Sequence, residues 1–426
     1  MPSRATIAWF VACATLAINV PAMGQETELR VSIDEAVRLF GENGLEMRIS
    51  RARFERESGE ARQSRAYFNP TASVFHENLD NEGLEYDETL LMLSQAIEWP
   101  GRTSARSRAA NGRVEAAAAE FQSDSIRLVF DVRRAFLNAW ALEERTTSLA
   151  MANTVVRDAG RASEIRLRDG DVSDYETRRL RLEQIRLEQS LAVSELGRSA
   201  ARRSLATLLV PEGPFESAIA SHPPGELPPD VSSVDPMLAL ARRPDVAAAE
   251  LRSVAAGDAA RAADMSWIPP LTLTAGYKDQ SDGFTGAVIG ASLPIPLFNG
   301  RRGEAEAAEA QLLAAEAETA LLRRRAKNDL QLTRERYESA LARLRRLGDG
   351  LLSEAAAVLE TASLAYQEGA FTLLELIDAA EAFRQARIGL IDLRAEAWLA
   401  YYDLERAMGW TVGPTADGRR EQDETE

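Results

Sequence analysis

The chain carries the same punctuation twice, 199 residues apart. Phe68-Asn69-Pro70 returns as Trp267-Ile268-Pro269, and Gly101-Arg102 returns as Gly300-Arg301. Asp169-Gly170, followed by Asp171-Val172-Ser173, returns as Glu368-Gly369 followed by Ala370-Phe371-Thr372. A long internal repeat constrains the fold more than any local propensity, because both copies have to form the same supersecondary unit. The unit reads as helix, two short strands, very long helix, break, returning helix. Two copies are expected at 25–210 and 234–410, joined by a proline-rich linker at 211–233.

In the first copy, residues 31–66 read as one helix. Ser32 caps it, Glu35 three residues on completes a capping box, and Asn69-Pro70 ends it. Strands follow at 71–79 and 86–97, with Asp80-Asn81-Glu82-Gly83 as the turn between them. From Arg102 to Arg168 there is no proline. Small or apolar residues recur there at three- and four-residue steps: Val114, Ala118, Phe121, Ser125, Leu128, Val132 and on to Leu149. That is the period of coiled-coil packing. Such a helix is roughly 100 Å long, more than a compact domain needs. The second copy repeats the plan: a helix at 235–265, strands at 271–278 and 284–293, a long helix at 302–367, and a returning helix at 372–409. The second returning helix carries two apolar lines, Leu373, Ile377, Ala380 and Ile391 on one, and Leu376, Phe383, Leu390, Ala397 and Leu404 on the other. A helix in a bundle needs one broad stripe, whereas two stripes suit a helix with a neighbour on each side, as in the wall of a tube. Aromatics are only 6% of the chain, which fits helix–helix seams better than one large core.

The first residues read as a secretory signal. Arg4 is the positive region, Ile7 to Val20 is largely apolar, and Ala22-Met23-Gly24 places small residues where a signal peptidase reads. A signal at 1–24 removes Cys13, the chain's single cysteine, and with it disulfides, thiolate metal sites and a cysteine nucleophile. The polar end, 411–426, is expected to be disordered. With Arg4 removed, 49 basic residues face 66 acidic ones, which disfavours nucleic acid as a partner. His76 and His222 are isolated and make no zinc site. No phosphate loop or nucleophile constellation stands out, so no catalytic, metal or cofactor residue is expected.

The strands point to a compartment. Leu271, Leu273, Ala275 and Tyr277 alternate with Thr272, Thr274, Gly276 and Lys278. Length and alternation match a transmembrane β-strand. The first hairpin alternates less cleanly, because Leu90 to Leu93 is a continuous apolar run. Phe68 and Trp267 precede the first strands, and Trp99 and Phe298 follow the second, so all four fall at one level, as in an aromatic girdle. The other reading is a pair of solvent-exposed hairpins capping a helical bundle. Four strands cannot close a membrane barrel, and lipid does not tolerate open edges. Hairpins in a membrane therefore require several chains to share one barrel, and three chains supply twelve strands.

Two strings at the strand–helix junctions carry a resemblance: Ser94-Gln95-Ala96-Ile97-Glu98-Trp99-Pro100-Gly101-Arg102 and Ser292-Leu293-Pro294-Ile295-Pro296-Leu297-Phe298-Asn299-Gly300-Arg301. With the repeat plan over residues 30–410, they resemble the TolC-type outer-membrane efflux factors, and within them the Czc-type heavy-metal branch. The resemblance implies a mainly α fold with a small β part, assembled as a homotrimer into an α-barrel continuous with a 12-stranded transmembrane β-barrel. It implies a passive duct in outer-membrane lipid, with its helical part in the periplasm. The duct would dock on a periplasmic adaptor (membrane fusion protein) and an inner-membrane pump of the resistance-nodulation-division type. Divalent metal cations are the expected cargo, with small organic toxicants or drugs as the alternative. A periplasmic coiled-coil adaptor is the rival from another class, though an adaptor has one helical hairpin and this chain has two.

The resemblance also implies site residues. The adaptor-binding tip carries over to Gly170, Val172 and Ser173, and to Gly369, Phe371 and Thr372. The same residues serve equally as plain helix-turn chemistry. Glu375 and Asp378, three apart and on one helix face, would give a ring of carboxylates in a trimer, which attracts cations. The other reading makes them solvated carboxylates favoured by a helix N-terminus. Glu176 and Tyr366 match positions that bond across helices to close the tip. Phe371 stands where a basic gate residue can occur, so closure here is expected to rely on packing.

Overall fold

The computed structural model describes residues 28–410, apart from 82–83, 171, 222–224, 232–234 and 369, and without the side chains of 81, 84 and 349. The expected signal peptide, C-terminal tail, His222 and Gly369 lie outside the described residues. The described chain is mainly helical with a small β part.

The first copy begins with strand β1 (Glu28–Val31) and helices α1 (Ile33–Asn43) and α2 (Leu45–Arg65). Ser32 caps α1 through a full capping box with Glu35. The single helix expected over 31–66 is in fact two. Gly44 takes an extended conformation between them, and a Cβ there would sit 2.6 Å from Phe40. Phe40 is fully buried, so the break lets α1 turn its apolar face into the core while α2 leaves along a different line. Strands β2 (Thr71–Asn81) and β3 (Leu84–Ile97) lead to α3 (Pro100–Asp169), and α4 (Asp174–Leu209) returns. At 70 residues, α3 spans about 105 Å. Leu128, Val132, Ala139, Thr146 and Leu149 of the expected seam are all buried on it.

The proline-rich segment is more than a linker. It holds β4 (Ser217–Ala220), which pairs in parallel with β1. No alternation marks it, because the strand is four residues long and lies among prolines. The second copy is α5 (Pro236–Arg242), α6 (Pro244–Asp264), strands β5 (Leu271–Gln280) and β6 (Thr285–Ser292), then α7 (Arg302–Gln367) and α8 (Leu373–Met408). Here too one expected helix, 235–265, is two, because Pro244 forces Arg243 out of the helical region.

Helix α3 packs on α2 and α6 along its first half and on α4 and α8 along its second. Helix α7 packs on α6 and then α8. The chain is thus a layer of helices in the order α2–α3–α6–α7 at the strand end and α4–α3–α8–α7 at the other. The principal core sits between, where the returning helices end: Phe40, Val132, Phe136, Trp140, Leu205, Leu209, Tyr337, Trp398, Tyr401 and Met408. Full burial of one such side chain contributes about 1.5–3 kcal/mol. Within this core Arg133 Nη1 donates to Glu405 Oε2 at 2.6 Å, with both side chains buried. The Arg133 guanidinium also lies 4.5 Å from the centre of the Tyr402 ring. Burial pushes the Glu405 carboxyl above the usual range, against the pull of Tyr401 and Arg133 beside it.

Among the described residues, no helix is long and apolar enough to cross a membrane.

Candidate functional site

Two regions hold the residues singled out from the sequence: the four-stranded sheet at one end and the helical turns at the other. The sheet has the order β2-β3-β5-β6, antiparallel throughout, so both hairpins join into one surface with β2 and β6 as open edges. Register fixes its two faces. Ala72, Leu93, Ala275 and Ile289 form one row, and Val74, Leu91, Tyr277 and Ala287 the next. These apolar side chains point to the exposed face, where Ile289 is 86% accessible. The other face carries Thr71, Ser94, Thr274 and Gly290, then Ser73, Met92, Gly276 and Val288. Leu90 to Leu93, which broke the alternation in the sequence, divides regularly: Leu91 and Leu93 face out, Leu90 and Met92 face in.

A polar row, His76, Thr89, Asp279 and Thr285, bounds the apolar band on the side away from the helices. Phe68, Trp99, Trp267 and Phe298 stand exposed on the helix side, and Trp99 Nε1 donates to the Pro269 carbonyl at 2.8 Å. On the inner face, Glu88 is held by Lys278 Nζ at 2.8 Å, by Gln280 Nε2 at 2.9 Å and by the Tyr86 hydroxyl at 2.8 Å. Sequence reasoning missed this cluster because its members lie about 190 positions apart; the register β3–β5 brings them together.

At the other end Gly170 closes α3 in the left-handed region, φ 85°, which glycine adopts without strain. Ser173 then caps α4: its Oγ accepts from Glu176 N, and Glu176 Oε2 accepts from Ser173 N at 3.0 Å. The second turn repeats the device, with Thr372 as cap and Glu375 as its partner. Val172 is half-buried, and Ser173, Phe371 and Thr372 are exposed.

The capping box changes the reading of the acidic pair. Glu375 Oε2 accepts from Thr372 N at 2.7 Å and from Thr372 Oγ1 at 2.9 Å. The Thr372 backbone N–H, and after it the hydroxyl, hold the Glu375 carboxyl below the usual range, so it stays charged. Asp378 is exposed and engages no partner among the described residues. Both line a shallow cleft between α7 and α8 together with Phe371 and Val358.

Glu176 and Tyr366 are not brought together within the chain. Glu176 is committed to its own cap. Tyr366 instead accepts a hydrogen bond from Arg166 Nη1 at 2.5 Å, with the guanidinium 5.5 Å from its ring centre. Sequence reasoning missed Arg166, although it adjoins Leu167, the counterpart of Tyr366 at the 199-residue offset. This contact ties the first helical hairpin to the second near the turns. Among the described residues, no group of three or more histidine, cysteine, aspartate or glutamate side chains could hold a metal ion.

Comparison with known proteins gives this architecture a context. Residues 236–410 match the family model for outer membrane efflux proteins. The chain is 24% identical to the cobalt-zinc-cadmium resistance protein CzcC of Cupriavidus metallidurans over 399 residues, 92% of this chain and 93% of that one. It is 27% identical to the pyoverdine export outer membrane protein OpmQ of Pseudomonas putida over 340 residues, 76% of this chain and 70% of the other. Its fold is similar to the crystal structure of the outer membrane protein VceC from Vibrio cholerae, with a TM-score of 0.71, 20% identity, and coverage of 88% of this chain and 96% of that one.

Proposed function

We propose that this chain, which belongs to the TolC-like outer membrane efflux protein family, is the passive exit duct of a tripartite efflux system. It is not an enzyme. Three copies would join their sheets edge to edge, β6 of one to β2 of the next, into a 12-stranded barrel in the outer membrane. Their helices would continue it as a tube through the periplasm. The observation that carries this reading is the sheet: two open edges and an apolar face turned outward. In water that face is a liability; in lipid, with the edges closed, both features are satisfied.

The remaining assignments follow the same frame. Phe68, Trp99, Trp267 and Phe298 sit at the periplasmic interface of the membrane. The turns around Gly170, Val172 and Ser173, and around Gly369, Phe371 and Thr372, face the periplasmic adaptor, which links the duct to a resistance-nodulation-division pump. Residues 1–24 are the export signal, and 25–210 and 234–410 are the two copies of the duct unit. Glu375 and Asp378 stand near the narrow end, and three pairs give a negative ring that favours cations. Tip closure rests on Arg166–Tyr366 and on packing around Leu373. Glu176 takes no part in it within one chain.

The cargo is proposed to be divalent heavy-metal cations, supported by the similarity to a cobalt-zinc-cadmium resistance protein over nearly the whole chain. A strain lacking the gene should become several-fold more sensitive to cobalt, zinc or cadmium. The wild-type gene should restore tolerance, and a Glu375→Ala/Asp378→Ala gene should restore it only in part. Unchanged metal tolerance, with new sensitivity to organic toxicants, would move the assignment to organic cargo.

A further inference from the structure

The apolar face of the sheet is shorter than a membrane is thick. On β5 it runs from Leu271 to Tyr277, and the next outward residue is Asp279, in the polar row that bounds the band. That is about 20 Å of strand, or about 15 Å of height at a tilt of about 40°. An outer-membrane barrel presents an apolar band about 25 Å tall. Beyond the polar row the outward residues include Asp87 and Asn78, so the missing surface has to lie on the helix side. There the two copies of the repeat part company. In the first, β3 runs on to Ile97, and the largely buried Glu98 side chain follows, 2.9 Å from Arg106 and 3.4 Å from Arg102. In the second, β6 ends at Ser292, and Leu293-Pro294-Ile295-Pro296-Leu297-Phe298 follows, with Leu297 at the position of Glu98. Leu293, Ile295, Leu297 and Phe298 are exposed, at 51%, 75%, 76% and 102%.

We propose that residues 293–298 lie in the periplasmic leaflet of the outer membrane and take phospholipid acyl chains as their partner, with Arg301 and Arg302 at the level of the phosphates. This rests on the duct reading above and adds a lipid-binding segment outside the sheet. Backbone that leaves a sheet is costly in lipid, because an unpaired N–H has no water to bond. The segment lowers that cost. Pro294 and Pro296 have no N–H to satisfy. Leu297 N donates to the Ile295 carbonyl at 2.9 Å, across Pro296. Five extended steps span up to about 16 Å, and the turn at Pro296 shortens this toward the missing height of about 10 Å.

The order of side chains follows the layers of a leaflet. Leu293 and Ile295 carry on from Ile289 and Ala291, the apolar outward residues of β6. Phe298 then joins Trp99 and Trp267, rings that favour the interface between hydrocarbon and water. Arg301 and Arg302 follow at the start of α7, both exposed. Guanidinium groups match phosphate oxygens in a two-pronged contact, which gives the segment charge complementarity to a phospholipid surface. Arg301 Nη1 lies 3.3 Å from Glu304, and Arg302 has no ion-pair partner among the described residues. Asn299 Oδ1 accepts from Arg301 N at 3.0 Å and fixes the bend that carries the chain from the segment into the helix.

Spin labels test this. In a Cys13→Ser background, Ile289→Cys, Leu297→Cys and Glu304→Cys are each labelled with a nitroxide. The proteins are reconstituted in vesicles of phosphatidylethanolamine and phosphatidylglycerol. Collisions with oxygen report lipid, and collisions with a water-soluble nickel chelate report water. The oxygen-to-nickel ratio at Leu297 should match that at Ile289 and exceed that at Glu304 several-fold. Adding Arg301→Glu and Arg302→Glu should lower the ratio at Leu297 toward that at Glu304; an unchanged ratio overturns the phosphate contact. A water-like ratio at Leu297 overturns the lipid contact, and so do low rates with both reagents, the mark of a site covered by a neighbouring copy. In either case a lipid-like ratio at Ile289 leaves the duct reading standing. A water-like ratio at Ile289 overturns both.

Discussion

Arg133→Ala is expected to destabilise the protein by about 3–5 kcal/mol, the usual consequence of stranding one partner of a buried ion pair. The cost comes from Glu405, whose carboxylate would remain in the core with its charge uncompensated. Burial already pushes that carboxyl up, and removing the guanidinium takes away one of the two groups that oppose the shift. The ring of Tyr402, over which the guanidinium lies, would lose its cationic neighbour as well. Replacing both partners by apolar residues, Arg133→Met with Glu405→Leu, should recover most of the loss, because desolvation and attraction nearly cancel for an intact buried pair. Thermal unfolding of the three proteins in detergent checks this. Equal midpoints for Arg133→Ala and the unmodified protein would mean that water reaches the pair.

Ile289→Arg should abolish insertion of the sheet, whereas Val288→Arg, one residue away, should be tolerated. Ile289 lies on the exposed apolar face beside Ala275. A cation there costs about 2–4 kcal/mol at the middle of a bilayer, in each copy sharing the barrel. Val288 pairs with Gly276 on the other face, which in a closed barrel turns away from lipid. Recovery of each variant from outer membranes is the measurement. Equal recovery of both would show that the outer face does not meet lipid, and would favour hairpins exposed to water.

The extent to which the sequence announces the structure follows the length of the pattern. The long helices are legible because a seam such as Leu128, Val132, Ala139, Thr146 and Leu149 repeats over many turns, and caps such as Gly170 and Ser173 mark their ends. Breaks inside short helices are less so. Gly44 acts only because Phe40 fills the space a continuing helix would need, and that contact is tertiary. The parallel pair β1–β4 is invisible in sequence: four residues carry no period, and the partners are about 190 positions apart. At the tip, the capping role of Glu375 follows from Thr372 three residues earlier, a local signal that was there to read. The partner of Tyr366 is not local. Arg166 reaches it only because α3 and α7 belong to adjacent hairpins of one layer.

The central claim, an oligomeric duct seated in the outer membrane, is tested most directly by gel migration of outer-membrane fractions with and without heating. The unheated protein should run as a detergent-resistant oligomer of three chains and, once heated, as a single chain of the mature mass. Recovery of the protein as a monomer from the soluble periplasmic fraction, with heating making no difference, would contradict the account.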